Sequence, residues 1–244
     1  EIRTYASTGE VQPADERIAY IEDRLEEGFE AIKLRITSRE DIELVREVRK
    51  AFPDLTLMVD ANKGWAIRAF EEEERWSFAE ALAVARDLEA LDIAWLEEPL
   101  PRHDYWGYAR LRERTDTPIA GGEFNDGPHE VREYLRHDAV DVLQPDAMLA
   151  TGIQEGVAIA ASAREQGVEF VPHTWTNGVG FAANLHVMTA VRSGWCEFPM
   201  EPPWTPEVRD FLLTETLGAE DGYIEAPTGP GLGIEIDWGV VEGN

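Results

Sequence analysis

The sequence predicts an α/β fold built as a closed barrel of parallel strands, and three observations carry that prediction. Short β-rich runs alternate with longer helical stretches along the chain, the signature of repeated βα units. Eight such runs fit into 244 residues, about the length that a closed (β/α) barrel occupies. Almost every run also ends in a charged group or an imidazole. An open doubly wound sheet is the lesser alternative.

Taken in order, the strands are expected at 2–7, 31–35, 56–60, 93–97, 119–122, 140–144, 168–172 and 195–198, each a short apolar or β-branched run. Between them, apolar residues recur at helical spacing over 15–27, 39–51, 78–90, 152–165 and 178–191. Seven intervals separate eight strands, so seven helices can be housed. The run Glu71 to Glu74 falls in the longest interval and reads as a solvated loop. The Gly- and Pro-rich stretch 229–233 reads as a return segment without chemistry of its own.

Composition narrows the function classes. The chain is 43% hydrophobic and 29% charged, as folded proteins are. No apolar run approaches the roughly 20 residues of a membrane span. Against 22 basic residues stand 49 acidic ones, and the net charge of −27 would repel nucleic acid and anionic membranes, so neither is an expected partner. Lys33, Lys50 and Lys63 are the three lysines, so arginine dominates the cations. This balance suggests a halophilic protein, working where salt screens its surface carboxylates. Cys196 stands alone, which rules out an internal disulfide and a cysteine-built metal site and agrees with a cytoplasmic location.

In a parallel barrel the chemistry gathers at the C-terminal strand ends. Here those ends hold Lys33 and Arg35, Asp60 and Asn62, Glu97 and Glu98, Glu123, Asp146, His173 and Glu197. Successive positions lie 23 to 37 residues apart, about one βα unit each, so they should line one mouth. Asp60, Glu97 and Glu123 would repel one another without a cation, and a hard oxygen donor set suits Mg²⁺. Glu98 could be confused with Glu97, because strand alternation sends them to opposite faces and does not say which is inward. Lys33 and Arg35 share a face, and crowding by Arg35 and Mg²⁺ would depress the lysine. They could equally do no more than pair with the acidic ring. His173 and Asp146 end neighbouring strands, where a carboxylate can hold one ring nitrogen and leave the other for proton transfer. His103, His129, His137 and His186 fall on expected helices or loops.

These residues resemble, over essentially the whole chain, the enolase superfamily, and within it the mandelate racemase subgroup of the mandelate racemase/muconate lactonizing enzyme family. The resemblance rests on Lys-x-Arg, Asp-x-Asn, Glu-Glu-Pro, Gly-Glu, Gln-Pro-Asp and Pro-His after strands two to seven. It implies a TIM-type (β/α)7β barrel of the enolase C-terminal-domain kind, with Mg²⁺ on Asp60, Glu97 and Glu123. It also implies Asn62 near the substrate, an Asp146–His173 acid/base dyad, and Glu197 as hydrogen-bond donor to the substrate carboxylate, with Glu201 as the fallback. The implied reaction removes the proton α to a carboxylate through an enediolate, a role in which His or Lys bases work beside Mg²⁺. The subgroup commonly carries Lys where Arg35 stands. Arginine is a poor base, so dehydration of an acid sugar is favoured over racemisation or epimerisation of a 2-hydroxy acid. A barrel without catalytic activity is the third reading.

The resemblance further implies an N-terminal capping domain that selects the substrate. No such domain is expected within 1–244, which reads as one catalytic barrel, inactive if a cap is required. Family habit points to a homo-oligomer acting on a small-molecule carboxylate. The stretch Gly178 to Ala183 matches a dinucleotide fingerprint only weakly, since it lies in the seventh unit rather than the first. Hydrolase and nucleotide triphosphatase motifs have no starting residue here.

Overall fold

Alternation of β-branched strands with amphipathic helices produces one curled parallel sheet. In the computed structural model, which describes residues 1–64 and 75–243, the strands are β1 (Ile2–Ser7), β2 (Ala31–Arg35), β3 (Thr56–Asp60), β4 (Leu96–Glu97), β5 (Ile119–Gly121), β6 (Val142–Leu143), β7 (Glu169–Phe170) and β8 (Cys196–Pro199). Their order across the sheet is β7-β6-β5-β4-β3-β2-β1-β8, and β9 (Tyr223–Ile224) adds antiparallel to β1. The loop expected at 71–74 lies outside the described residues.

The first three strands have the expected bounds, β4, β5, β6 and β7 are shorter, and β8 lies one residue later than expected. Their pairing continues beyond the regular ladder as single backbone bonds. Ala94 N–H donates to Leu57 O at 2.7 Å, Gln144 N–H to Gly121 O at 2.9 Å and Val171 N–H to Leu143 O at 3.1 Å. Among the described residues β7 and β8 share no ladder. Side chains bridge them instead, Thr174 Oγ1 donating to Glu197 O at 2.7 Å and Ser193 Oγ to Phe170 O at 3.0 Å. The sheet is consistent with a TIM-type barrel.

Crossovers run through α1 (Ala14–Glu26), α2 (Ile42–Ala51), α3 (Phe78–Glu89), α4 (Tyr105–Arg112), α5 (Pro128–Arg136), α6 (Gly152–Glu165) and α7 (Gly178–Val191), followed after β8 by the short α8 (Pro206–Arg209) and α9 (Trp238–Glu242). The helix expected from residue 39 opens with a 3₁₀ turn, Arg39–Asp41. A reciprocal cap of Ser77 and Glu80 opens α3. Among the described residues no helix is long and apolar enough to cross a membrane.

Two cores form. The larger lies between strands and helices; Ile32, Leu34, Leu57, Val59 and Leu96 meet Val45, Val84 and Ile159 there. The smaller gathers Tyr5, Ala31, Met58, Trp95, Ala120, Val142 and Val171, one residue from each of seven successive units. Such a ring can be buried only if the sheet curls around it, as the inward-facing layers of a barrel do. This inner ring fixes the site above it.

Candidate active site

Side chains on a strand return to the same face every second residue. Two residues beyond the apolar ring therefore come Ser7, Lys33, Asp60, Glu97, Gly122, Gln144 and His173, joined by Glu197 two residues beyond Trp195, which packs against the ring, so a polar layer rests on an apolar one. Strand five is the exception, because its position in that layer is glycine. Gly122 takes φ +120°, open to glycine and strained for other residues, and Glu123 follows it onto the mouth.

Above this layer is a cavity of about 640 Å³. One wall is polar, with Lys33, Arg35, Asp60, Asn62, Glu123 and His173; the other is largely apolar, with Phe124, Met148, Leu149, Trp175, Pro203 and Trp204. Thus six of the expected site residues share one cavity. Glu97, Asp146, Glu197 and Glu201 are buried behind its surface rather than lining it.

Lys33 is the hub of the polar layer. Its Nζ lies 2.7 Å from Glu97 Oε1, 2.5 Å from Glu197 Oε1 and 3.8 Å from Asp60 Oδ2. Burial would depress the ammonium, but Glu197 and Glu97 outweigh it and hold the pKa well above the usual lysine value. The depressed lysine expected from sequence is reversed, because its close charged neighbours are carboxylates rather than Arg35. That guanidinium instead reaches Asp60 Oδ2 at 3.5 Å.

The carboxylates are held with unequal freedom. Glu97 Oε2 accepts from Trp95 Nε1 at 3.0 Å and Gln144 Nε2 at 2.9 Å. Asp60 Oδ1 accepts the Asn62 N–H at 2.8 Å, an Asx turn that places Asn62 in the left-handed region, which Asn tolerates. From there Asn62 Nδ2 donates to Glu123 Oε1 at 3.2 Å. The ambiguity between Glu97 and Glu98 resolves toward Glu97 as the inward residue. Glu98 takes φ +49° and turns away, accepting the Gly122 N–H at 3.0 Å while its Oε2 is buried against Gly64 without a hydrogen bond.

Burial pushes Asp60, Glu98 and Glu123 above the usual carboxylate range, and neighbouring carboxylates add to it; Glu123 reaches about 7. Burial would lower His173, yet Glu123, the Asp146 hydrogen bond and Glu197 carry it to about 10. Its Nδ1 lies 3.0 Å from Asp146 Oδ2, and its Nε2 lies 3.7 Å from Glu123 Oε2. Among the described residues no three His, Cys, Asp or Glu side chains already form a metal cage. The donor set nonetheless fits a hard divalent cation: Asp60, Glu97 and Glu123 bring buried oxygens of like charge together, and burial raises the proton affinity of Asp60 and Glu123.

Two further acids lie buried behind the cavity surface. Glu197 accepts from Ser7 Oγ and Thr174 N–H, both at 2.9 Å, and although burial opposes its ionisation, Lys33 and His173 hold its pKa below the usual range. Glu201 pairs with buried Arg17 and accepts the Gly9 N–H at 2.8 Å, tying the loops after β1 and β8 together. Sequence reasoning passed over Ser7, Trp95, Gln144 and Trp175. The two-residue step beyond the inner ring identifies Ser7 and Gln144, whereas Trp175, whose Nε1 donates to Ser7 Oγ at 2.9 Å, gives no comparable signal.

Residues 16–240 match the family model described as enolase C-terminal domain-like. D-galactarolactone cycloisomerase of Agrobacterium fabrum is 35% identical over 97% of this chain, which covers 63% of that protein. Arabinonate dehydratase of Saccharolobus solfataricus is 35% identical over 88% of this chain and 55% of its own length. The crystal structure of L-talarate dehydratase from Polaromonas sp. JS666, complexed with Mg and L-glucarate, superposes with a TM-score of 0.82 at 30% identity, covering 99% of this chain and 63% of that one. The chain thus spans a little over half to nearly two thirds of the length of these relatives. Matching polar strand ends, curled sheet and sequence identity together place it in the enolase C-terminal domain-like family, within the mandelate racemase/muconate lactonizing enzyme group of the enolase superfamily.

Proposed function

We propose that residues 1–244 act as one (β/α)7β catalytic barrel that dehydrates an acid sugar with the help of Mg²⁺. The observation that carries this reading is the cavity itself, where His173, its Nε2 3.7 Å from Glu123 Oε2, shares one lining with Asp60, Lys33 and Arg35. Asp60, Glu97 and Glu123 would hold the cation, which supplies positive charge against the charge that develops on a substrate carboxylate as its α-proton leaves.

The chain's own groups divide the remaining work. Asp146 orients His173 through Nδ1, leaving Nε2 on the cavity side to move a proton at the α-carbon or at the departing β-hydroxyl. Loss of that hydroxyl as water leaves an enol, which becomes a 2-keto-3-deoxy acid. Lys33 and Arg35 lend fixed positive charge, and Asn62 offers a donor beside Glu123. Glu197 holds Lys33, and the aromatic wall limits water. Reversal of configuration needs a base on each face. Arg35, standing where the resemblance would place a lysine base, cannot serve. Dehydration is therefore favoured over racemisation, and similarity to arabinonate dehydratase supports that reading.

The test is a screen of sugar acids and their lactones with Mg²⁺ in deuterated water. A 2-keto-3-deoxy product is expected. Deuterium incorporation with inverted configuration and no keto acid would establish the racemase or epimerase reading instead.

A further inference from the structure

Asp146 spreads its two carboxylate oxygens over different tasks. Oδ2 meets His173 Nδ1 at 3.0 Å, while Oδ1 accepts the backbone N–H groups of Met148 at 2.7 Å and Leu149 at 3.3 Å, at the start of the π-helical turn Ala147–Thr151. Those two donors belong to the turn that Asp146 itself caps, so they move with it. One further donor comes from elsewhere. Asn184, fully buried on α7, donates from Nδ2 to Asp146 Oδ1 at 3.2 Å and accepts the Ala147 N–H on its Oδ1 at 2.8 Å.

A primary amide can satisfy both partners at once, because its donor and acceptor are fixed side by side. A buried, fully hydrogen-bonded network of this kind specifies one arrangement and is costly to leave half-made. An apolar residue would be the ordinary occupant of this position, since Phe181, Leu185 and Met188 on the same helix enter the core. The turn also bears Met148 and Leu149, which line the cavity.

We infer that Asn184 is a positioning residue: it fixes the Asp146 carboxylate and the adjoining turn to α7, and through Asp146 it sets the direction of the His173 ring. This rests on reading His173 as the proton-transfer group. Asn184 touches neither the substrate cavity nor the reacting atoms.

The experiment uses the full chain with Asn184→Leu, which keeps the branched heavy-atom pattern but removes both polar atoms. Leu185→Ala on the same helix serves as a destabilised control without a dyad contact. Two readouts are taken: kcat and KM on the acid sugar turned over by wild type, and the ¹⁵N-edited resonance of the His173 Nδ1–H, assigned with His173→Asn. N184L is expected to lower kcat at least tenfold with KM within twofold, and to shift or lose the Nδ1–H resonance, while L185A retains both. Unchanged kcat and resonance in N184L, or equal losses in L185A, overturn the inference. Should N184L fail to fold, Asn184→Ser is judged by the same criteria. If wild type turns over no acid sugar, the dehydratase reading falls, and the resonance alone still decides Asn184.

Discussion

The two walls of the cavity are built by different means. The polar wall comes from strand ends: backbone pairing sets Lys33 opposite Met58 and Asp60 opposite both Arg35 and Glu97, and Asn62, Glu123 and His173 follow within three residues of a strand. The facing wall comes from loops, with Phe124 after β5, Met148 and Leu149 after β6, Trp175 after β7 and Trp204 after β8. Strand-borne groups are held to the sheet's register, and loop-borne groups to whatever the loop packs on. The first wall is therefore suited to chemistry that tolerates no displacement, the second to a changing substrate outline.

The largest break in this comparison should come from the polar wall. His173→Asn removes the proposed proton-transfer group but keeps a side chain that can bond Asp146. Turnover is expected to fall about 10²- to 10⁴-fold with the fold retained. Wild-type-like kcat in a folded variant would remove His173 from its role.

A smaller effect follows from the buried carboxylates. Glu123 has a pKa near 7 in the folded chain against an ordinary 4.5, so the folded state binds its proton more tightly than the unfolded state does. Stability therefore falls as pH rises from about 4.5 through 7, by on the order of 3 kcal/mol from this group alone. Glu123→Gln should flatten that part of the metal-free stability curve and abolish any rise in Tm on adding Mg²⁺. An unchanged pH slope, or a Mg²⁺ effect that survives, would separate Glu123 from the cation.

The same contrast explains what could be read from the sequence. Strand periodicity and chain length located Asp60, His173 and Lys33, because a charge ending an apolar run leaves few places for its side chain. Glu97 and Glu98 stayed ambiguous, since the choice rests on the left-handed turn at Glu98, a backbone conformation that no side-chain pattern announces. Glu201 drew attention only as the fallback for Glu197, and its placement depends on Arg17, a helical residue that is fully buried and carries no local sign of that fate. Trp175 and Trp204 were silent for a similar reason. Loops have no period, so nothing local tells an aromatic residue there to face a cavity.

On the loop-borne wall, Trp204→Ala should raise KM about tenfold, roughly 1.4 kcal/mol of binding, with kcat changed far less. A shift in substrate preference without loss of the Mg²⁺ response would sharpen the division between the walls. Equal losses in kcat and kcat/KM would place Trp204 among the groups acting at the reacting centre.

The smallest effect concerns neither wall but the outer surface. One-to-one pairing of every Lys and Arg would still leave 27 acidic residues over. Exposed pairs such as Arg39–Asp87 and Arg24–Glu27 offset only part of that charge. Self-repulsion at the surface is screened as the Debye length shrinks from about 10 Å at 0.1 M salt to about 3 Å at 1 M, whereas buried pairs are screened much less. Raising KCl from 0.1 to 1 M should therefore increase Tm while leaving the Lys33–Glu97–Glu197 network and kcat nearly unchanged. A protein equally stable in dilute buffer and in molar salt would show that its carboxylates are too far apart to repel, and the halophilic reading of its charge would fail.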